Sequence, residues 1–316
     1  MTFGESVFYP DVEQYINAFL NAGYDELDTA YVYNDGNSER LLGEVLPGIN
    51  QSCKISTKIN PRISGKLDAD AVYKQLTESL ERMKRTSVET VFLHFPDPQT
   101  PVENALGAMA DMHDQGKFRE LGLSNFPAWM VADVWHICDR HGWVLPTVYE
   151  GVYNPLTRGA ESELNDCLNA FDLRFYAYNP TMGGLLTGKY TSVDDTPEDG
   201  RFTHRPGYLE KYWKKCNFDA LDVIRKAIKP HGITMVEATY RWLAYHSMLD
   251  SGRGDAILIG ASKLNHLLQN MESVNAGPLP DDVIEAMNVA WKICRGESRD
   301  YFTLYKGKGS VGGEKK

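Results

Sequence analysis

The sequence predicts an α/β fold, a (β/α)8 barrel built as a single domain. Seven short apolar runs with strand character alternate with helical patterns, which is typical of repeated βαβ units around a parallel sheet. Most successive runs are separated by about 30 residues, the size of one βα unit. A chain of 316 residues is also an ordinary length for one such barrel. The runs are Tyr24–Asp28, Lys54–Lys58, Thr90–His94, Glu120–Ser124, Pro146–Tyr149, Arg174–Tyr178 and Ala256–Gly260.

Several segments between these runs have apolar residues at helical spacing. In Asp70–Arg85 the residues Val72, Leu76 and Leu80 share one face. The next helix is predicted to begin at a capping box, Thr100 to Glu103, and to end at Gly116. Further helices are predicted at Phe218–Lys229 and Val236–Tyr245.

The longest interval between two predicted strands separates Tyr178 from Ala256. It exceeds one βα unit and therefore predicts an inserted segment at about 183–217, which in a barrel lies over the active site. We expect the barrel domain to occupy residues 1–305. The tail, residues 306–316, is rich in Gly and Lys and is predicted to be disordered.

The seven runs are one short of a closed eight-stranded barrel. Only Met1–Gly4 precedes the first helical pattern, so the first strand is predicted to be largely absent or shortened. A barrel that lacks a strand exposes an edge and part of its core. One alternative is therefore a weakly active, N-terminally shortened enzyme.

Composition narrows the class of function. The net charge of −10 disfavours binding to nucleic acid, because like charges repel. Five scattered cysteines without a C-x-x-C pair disfavour a disulfide framework or a thiolate metal site. No secretory signal and no apolar run of about 20 residues is present. We therefore expect a cytoplasmic protein without a membrane partner.

Four ionisable residues follow the ends of consecutive predicted strands, where parallel barrels build their sites. They are Asp28, Tyr33, Lys58 and His94. Singly, such residues are more often a cap, a core phenol, a solvated amine and a core imidazole. Together they predict acid–base chemistry. Lys58, held by Asp28, would lower the pKa of the Tyr33 phenol, and His94 would orient a carbonyl oxygen.

In these four residues and in the motifs around them, the chain resembles the aldo-keto reductases, and within them the branch of aflatoxin-aldehyde and succinic-semialdehyde reductases. The similarity extends from Thr2 to about Phe302 in the order of the family. The motifs that carry it are LDTAYVYNDGNSE, ISTKINP, FLHFPD, KFRELGLSNF, LPTVYEGVYNPLTR, LRFYAYNPTMGGLLTGKY and GASKLNHLLQN.

The resemblance implies a barrel that binds NADPH in an extended pose and reduces aldehydes, and also ketones, to alcohols. Tyr33 matches the proton donor of the family, Lys58 and Asp28 match the pair that lowers its pKa, and His94 matches the residue that positions the substrate. The cofactor would supply the reducing power, and the protein would supply orientation and electrostatics.

The resemblance also implies a set of cofactor contacts. Ser124 and Asn125 match partners of the nicotinamide amide, and Tyr178 matches the aromatic plate under the ring. Glu150 stands where many relatives carry glutamine, and an ionised carboxylate there would favour the positively charged oxidised ring. The remaining matches lie in the pyrophosphate loop, the insertion and the last helix: Asn179, Pro180, Met182, Gly183, Gly184, Leu185, Thr187, Gly188, Lys189, Arg201, Ser262, Lys263, His266, Gln269 and Asn270.

Two of these stretches have other readings. Gly183-x-x-x-x-Gly188-Lys189 matches most of a nucleotide-triphosphate loop, but Tyr190 replaces the hydroxyl residue that ligates magnesium. Ser262-Lys263 before a helix favours an anion, here the adenosine 2′-phosphate, or is simply a helix cap. NADPH is the expected cofactor. Its preference over NADH is not established by the sequence, because His266 stands where other relatives place arginine or glutamine.

Substrate residues depart from the branch. It uses two arginines against a carboxylate, and Lys211 and Thr303 stand at those positions, so carboxylate recognition is expected to be reduced. Aromatic residues would then favour larger apolar aldehydes. The predicted substrate-binding residues are His94, Tyr208, Lys211, Trp213, Tyr301 and Phe302.

Two other classes of function remain open. An NADPH-binding regulatory subunit like the potassium-channel β subunits shares this barrel, so cofactor oxidation must discriminate it from an enzyme. A barrel metal hydrolase would use His94 and Asp28, but no H-x-H or H-E-x-x-H pattern supports one, and no metal is predicted. The resemblance leaves a homodimer open as an assembly state.

Overall fold

A computed structural model describes residues 2–198 and 200–307, so most of the predicted tail lies outside the described residues. Seven parallel strands form one sheet in chain order, each hydrogen-bonded to the next. The strands are β1 Glu26–Asp28, β2 Lys54–Ile59, β3 Val88–Leu93, β4 Phe118–Ser124, β5 Pro146–Val152, β6 Arg174–Tyr178 and β7 Ala256–Ile257. The sheet curls as a (β/α)8 barrel does, which confirms the predicted fold class.

Helices connect the strands and pack against the outside of the sheet. They are α1 Asp11–Asn21, α2 Asn37–Val45, α3 Pro61–Ser64, α4 Ala69–Met83, α5 Val102–Asp114, α6 Ala128–His141, α7 Leu164–Ala170, α8 Arg201–His204, α9 Pro206–Tyr212, α10 Lys215–Ile228, α11 Met235–Tyr245, α12 Leu264–Val274 and α13 Asp281–Cys294. The inserted segment contains the short helices α8 and α9.

The shortened first strand is confirmed within the described part of the chain. Its initial residues form a turn with a single bridge, Phe3 to Val7, and add no strand to the sheet. The outer edges of β1 and β7 consequently have no strand partner among the described residues. Leu27 and Ile257 at these edges line a large cavity.

The start of α5 differs from the prediction. No side chain caps this helix, because Pro101 occupies the N-cap position. The Thr100 hydroxyl instead donates to Asp97 Oδ2 at 2.6 Å. Asp97 also accepts from the Leu67 backbone amide at 3.0 Å, so this carboxylate organises the loop after β3. A buried acceptor with several donors competes successfully with a local capping box.

The helix α2 is held close to α4, and this contact supports the site. Glu39 of α2 is buried, pairs with Arg82 of α4 at 2.6 Å and accepts from Thr57 of β2 at 2.6 Å. Gly43 permits the approach, since a Cβ atom there would lie 2.4 Å from the backbone oxygen of Arg82.

We expect Gly43→Ala to destabilise the protein by about 1–3 kcal/mol, because the added methyl group must push two helices apart. Urea unfolding followed by circular dichroism measures this change. Gly48→Ala is the matched control, since a Cβ at Gly48 meets nothing within 4 Å. Equal midpoints for the two variants would contradict the close packing.

Candidate active site

The centre of the site is the amine of Lys58, which lies in β2 with a fully buried side chain. It forms a short ion pair with Asp28 at the end of β1 and donates to the Thr29 carbonyl at 3.1 Å. It also lies 3.2 Å from Glu150 Oε2 of β5. Burial acts to lower the pKa of Lys58, but the two carboxyl groups outweigh it and raise that pKa.

Tyr33 lies in the turn that follows β1, and its ring faces this cluster. The Lys58 amine is 5.2 Å from the centre of the ring, and the His94 ring meets it edge-on at 6.1 Å. Burial raises the pKa of Tyr33 well above its usual value, and Asp28 and Glu150 raise it further. The pKa of Tyr33 is therefore raised rather than lowered as expected, because burial is the largest effect and the charge of Asp28 adds to it. The phenol is held protonated.

His94 directly follows β3 and is held from several sides. Its backbone amide donates to Ile59 at 2.8 Å, and its carbonyl accepts from Asn125 at 3.0 Å. Burial, assisted by the positive charges of Lys58 and Arg62, lowers the pKa of His94 well below its usual value. The imidazole is therefore neutral near pH 7.

The tautomer of His94 follows from Asn60, which the sequence reasoning missed. Asn60 is buried, and its Nδ2 lies 3.2 Å from His94 Nδ1. Asn60 Oδ1 is already used, because it accepts from the Arg62 backbone amide at 3.0 Å. The amide group therefore donates to Nδ1, which leaves the proton of the neutral ring on Nε2, where it can be donated to a carbonyl oxygen. The position of Asn60 directly after β2 was the feature of the sequence that could have identified it as a site residue.

The side chains of Ser124 and Asn125 meet the cavity but also bond to each other. Asn125 Nδ2 donates to Ser124 Oγ at 2.9 Å, and its Oδ1 accepts from the Tyr178 hydroxyl at 2.8 Å. Asn125 has a positive φ of 62°, which aims its side chain back at the loop after β3. These bonds fix the tyrosine that was predicted to stack on the nicotinamide.

A cavity of about 2240 Å³ opens above the carboxyl ends of the strands. It is lined by predicted residues from every part of the chain: Asp28, Tyr33, His94, Ser124, Asn125, Glu150, Tyr178, Asn179, Pro180, Gly183, Gly184, Thr187, Gly188, Lys189, Arg201, Tyr208, Lys211, Ser262, Lys263, His266, Gln269 and Asn270. Lys58 lies just beneath this surface.

Five predicted residues lie away from the cavity wall. Met182 and Leu185 point into the core beneath the glycine loop. Trp213 packs within the insertion and donates to the Val193 carbonyl at 2.8 Å. The Tyr301 hydroxyl bonds to Glu163 and accepts from the Ala128 amide, and Phe302 packs against the Tyr301 ring. Since these five side chains do not line the cavity, their assignment to the site stays a prediction.

The cavity fits an elongated anionic ligand such as a dinucleotide. The loop after β6 keeps its wall free of side chains through Gly183 and Gly184, with φ of 70° and 113°. A Cβ at Gly183 would lie 2.7 Å from Tyr208. Lys189, Arg201 and Lys263 line the same cavity and offer positive charge to phosphate groups.

Arg299 is a further cavity residue that the sequence reasoning missed. Its guanidinium donates to the Tyr212 hydroxyl at 3.3 Å and to Thr303 at 3.2 Å. Among the ion pairs of the described residues, none involves Arg299. It lies in an irregular segment, so no periodic pattern marks it.

Comparison with known proteins decides the family. The aldo/keto reductase family matches residues 1–292. This chain belongs to the aldo/keto reductase family. It is 44% identical over 299 residues to aflatoxin B1 aldehyde reductase member 2 of Rattus norvegicus, covering 91% of this chain and 82% of the relative. It is 42% identical over 314 residues to aldo-keto reductase family 7 member A3 of Homo sapiens, covering 96% and 95%.

The reductase is thus an oxidoreductase that acts on aldehyde and ketone groups with a nicotinamide cofactor, as its family does. Within residues 2–198 and 200–307, no helix is long and apolar enough to cross a membrane. The same residues contain no cluster of three or more His, Cys, Asp or Glu arranged for a metal ion.

We expect Asn60→Asp to reduce kcat/KM roughly tenfold at pH 7, as the loss of one oriented hydrogen bond would. An aspartate keeps the bond from Arg62 but accepts a hydrogen bond from Nδ1–H, so it raises the pKa of His94 and favours the tautomer that has no proton on Nε2. The imidazolium of the variant donates from Nε2 as well as from Nδ1, so its activity should rise as the pH falls through the raised pKa of His94, whereas the wild type should show no such rise. Asn60→Ala is the control that removes the bond without adding charge. A pH–rate profile of Asn60→Asp that parallels the wild type would contradict the role of Asn60.

Proposed function

We propose that this reductase uses NADPH to reduce aldehydes to primary alcohols, with Tyr33 as the general acid. One aldehyde, one NADPH and one proton become one alcohol and one NADP⁺. The observation that carries the proposal is the geometry of the cluster: the His94 ring meets the Tyr33 ring edge-on at 6.1 Å, and the buried Lys58 amine lies 5.2 Å from the centre of the Tyr33 ring. NADPH, when bound, supplies the hydride.

Each side chain of the site has a separate role in the proposed reaction. His94 donates through Nε2 to the carbonyl oxygen and holds it near the Tyr33 hydroxyl. Tyr33 gives its proton to that oxygen as negative charge develops there. Lys58, held in place by Asp28, keeps its ammonium 5.2 Å from the centre of the Tyr33 ring, and this charge stabilises the phenolate that remains. The Tyr33 phenol keeps its proton at rest, so this proton is present when the carbonyl substrate binds.

The cofactor is proposed to extend from Glu150 and Tyr178 to the start of α12. Ser124 and Asn125 border the ring end, and the glycine loop with Lys189 and Arg201 borders the pyrophosphate. Ser262 and Lys263 are exposed at the start of α12, and His266 and Gln269 follow on the same side, which suits the adenosine 2′-phosphate. The preference for NADPH over NADH rests on Lys263. The names of the relatives, which describe reductases of an aldehyde, agree with this proposal.

Tyr33→Phe is expected to lower the rate of NADPH oxidation with 4-nitrobenzaldehyde roughly 10²–10⁴-fold, because the proton donor is lost. The fall in NADPH absorbance measures the rate. NADPH binding, followed by protein fluorescence, should stay close to the wild-type value. A regulatory subunit would bind the cofactor without oxidising it, so binding without turnover in the wild type would sink the enzyme proposal. Full activity of the variant would sink the acid assignment.

The substrate is further proposed to carry a carboxylate that Arg299 binds. Arg299 lines the same cavity as Tyr33, Tyr178 and Tyr208. A partly buried guanidinium without a carboxylate partner favours an anionic ligand. This changes the expectation drawn from Thr303, since Arg299 places a positive charge beside that threonine.

We expect Arg299→Gln to raise the KM for succinic semialdehyde roughly 10- to 100-fold and to leave the KM for neutral 4-nitrobenzaldehyde within about twofold. Arg295→Gln is the matched control, because Arg295 is an exposed arginine of the same segment. Equal effects on both aldehydes would show that Arg299 only supports the fold of the wall, and would count against a carboxylate substrate.

A further inference from the structure

Glu150 is the one buried carboxyl group of the site that the proposed reaction does not use. Its side chain is 3% exposed and lies against the fully buried amine of Lys58. The contact of 3.2 Å lacks hydrogen-bond geometry, and Glu150 Oε2 has no hydrogen-bond partner among the described residues. An unsatisfied buried carboxylate is costly, so this group requires an explanation.

Asp28 and Glu150 share one cation. Asp28 has the shorter contact with Lys58, accepts from the Ser56 hydroxyl at 3.1 Å and keeps 18% of its side chain exposed. Glu150 has none of these compensations. When two carboxyl groups compete for one ammonium in a buried site, the less solvated group is the one that retains a proton.

We propose that Glu150 is a positioning residue that carries a proton in the free enzyme and releases it when the oxidised cofactor binds, so that NADP⁺ affinity depends on pH and NADPH affinity does not. This inference rests on the proposed function, because it requires a nicotinamide ring beside Glu150. The positive charge of the oxidised ring favours an ionised Glu150, whereas the neutral reduced ring does not.

The charged and titratable groups around Glu150 determine the pH range in which the affinity for NADP⁺ changes. Asp28 from the end of β1, Lys58 from β2, Tyr33 from the turn after β1 and Tyr178 from β6 are the titratable groups around it. Burial and, next, the charge of Asp28 raise the pKa of Glu150 to about 8, although Lys58 opposes them. The carboxyl group is therefore mostly protonated at pH 7 in the free enzyme.

The affinity for NADP⁺ is expected to rise with pH. Below about pH 8 in the free enzyme, NADP⁺ must displace a proton from Glu150, so its affinity rises with pH. The slope approaches tenfold per pH unit between the lowered pKa of the complex and that of the free enzyme. Above about pH 8 the proton has already left, and the affinity becomes constant. Reduced product inhibition at lower pH is the functional consequence.

Isothermal titration calorimetry in buffers of different ionisation enthalpy tests the proposal, since it counts the protons released on binding. At pH 7 we expect NADP⁺ to release between about half a proton and one proton more than NADPH in the wild type. In Glu150→Gln the two cofactors should release equal numbers. The comparison cancels titration of the 2′-phosphate, which both cofactors carry.

The outcomes separate the possible failures. Equal proton release by both cofactors in the wild type, or an undiminished difference in Glu150→Gln, would overturn the role of Glu150 and leave the reductase proposal intact. Failure of both cofactors to bind the wild type would overturn the proposed function itself. Glu150→Ala is the second variant if the glutamine protein does not fold, and it should also abolish the difference.

Discussion

The structure depends on how one fully buried ammonium, that of Lys58, is neutralised. A buried amine is stable only if an opposite charge and acceptor oxygens surround it, and here those partners come from separate strands. Asp28 and the Thr29 carbonyl come from the end of β1, and Glu150 comes from β5. The same contacts therefore join distant parts of the sheet and define where charge can develop.

The burial and the charges around this ammonium also determine the protonation states of its neighbours. Burial, reinforced by the charge of Asp28, leaves the Tyr33 phenol protonated, and burial together with the cation leaves the His94 imidazole neutral. A protonated acid beside a neutral donor is a useful resting state for reducing a carbonyl group, since no proton must arrive before the reaction. The site is thus prepared by electrostatics more than by the ordinary acidity of its groups.

Asn60 and Arg299 lie around the Tyr33 phenol, Asn60 beside the His94 ring and Arg299 in the cavity wall. Asn60 holds the imidazole through an amide whose orientation a backbone bond determines. Arg299 brings a cation to the far wall, where tyrosines and Thr303 hold it. The inserted segment contributes Tyr208 and Lys211 to the same cavity, so its lining is assembled from segments that are far apart in the sequence.

The sequence by itself determined the repeated βα pattern, the seven strands and the family resemblance, because apolar periodicity and contiguous motifs are local properties. It placed Asp28, Tyr33, Lys58 and His94 at strand ends, and parallel strands bring such ends together. Strand bounds were less well predicted: β1 begins at Glu26 rather than Tyr24, since hydrogen bonding to β2 sets the limit.

Only the tertiary structure decided which side chains face the cavity and which protonation states they hold. Trp213 and Tyr301 look like pocket residues by type, yet they bond within the core, whereas Arg299 lies in an irregular segment and reaches the cavity. The raised pKa of Tyr33 depends first on its burial and then on its distance from Asp28. Burial and Coulomb interactions depend on positions in space, and residues that are remote in the chain acquire those positions only when the barrel folds.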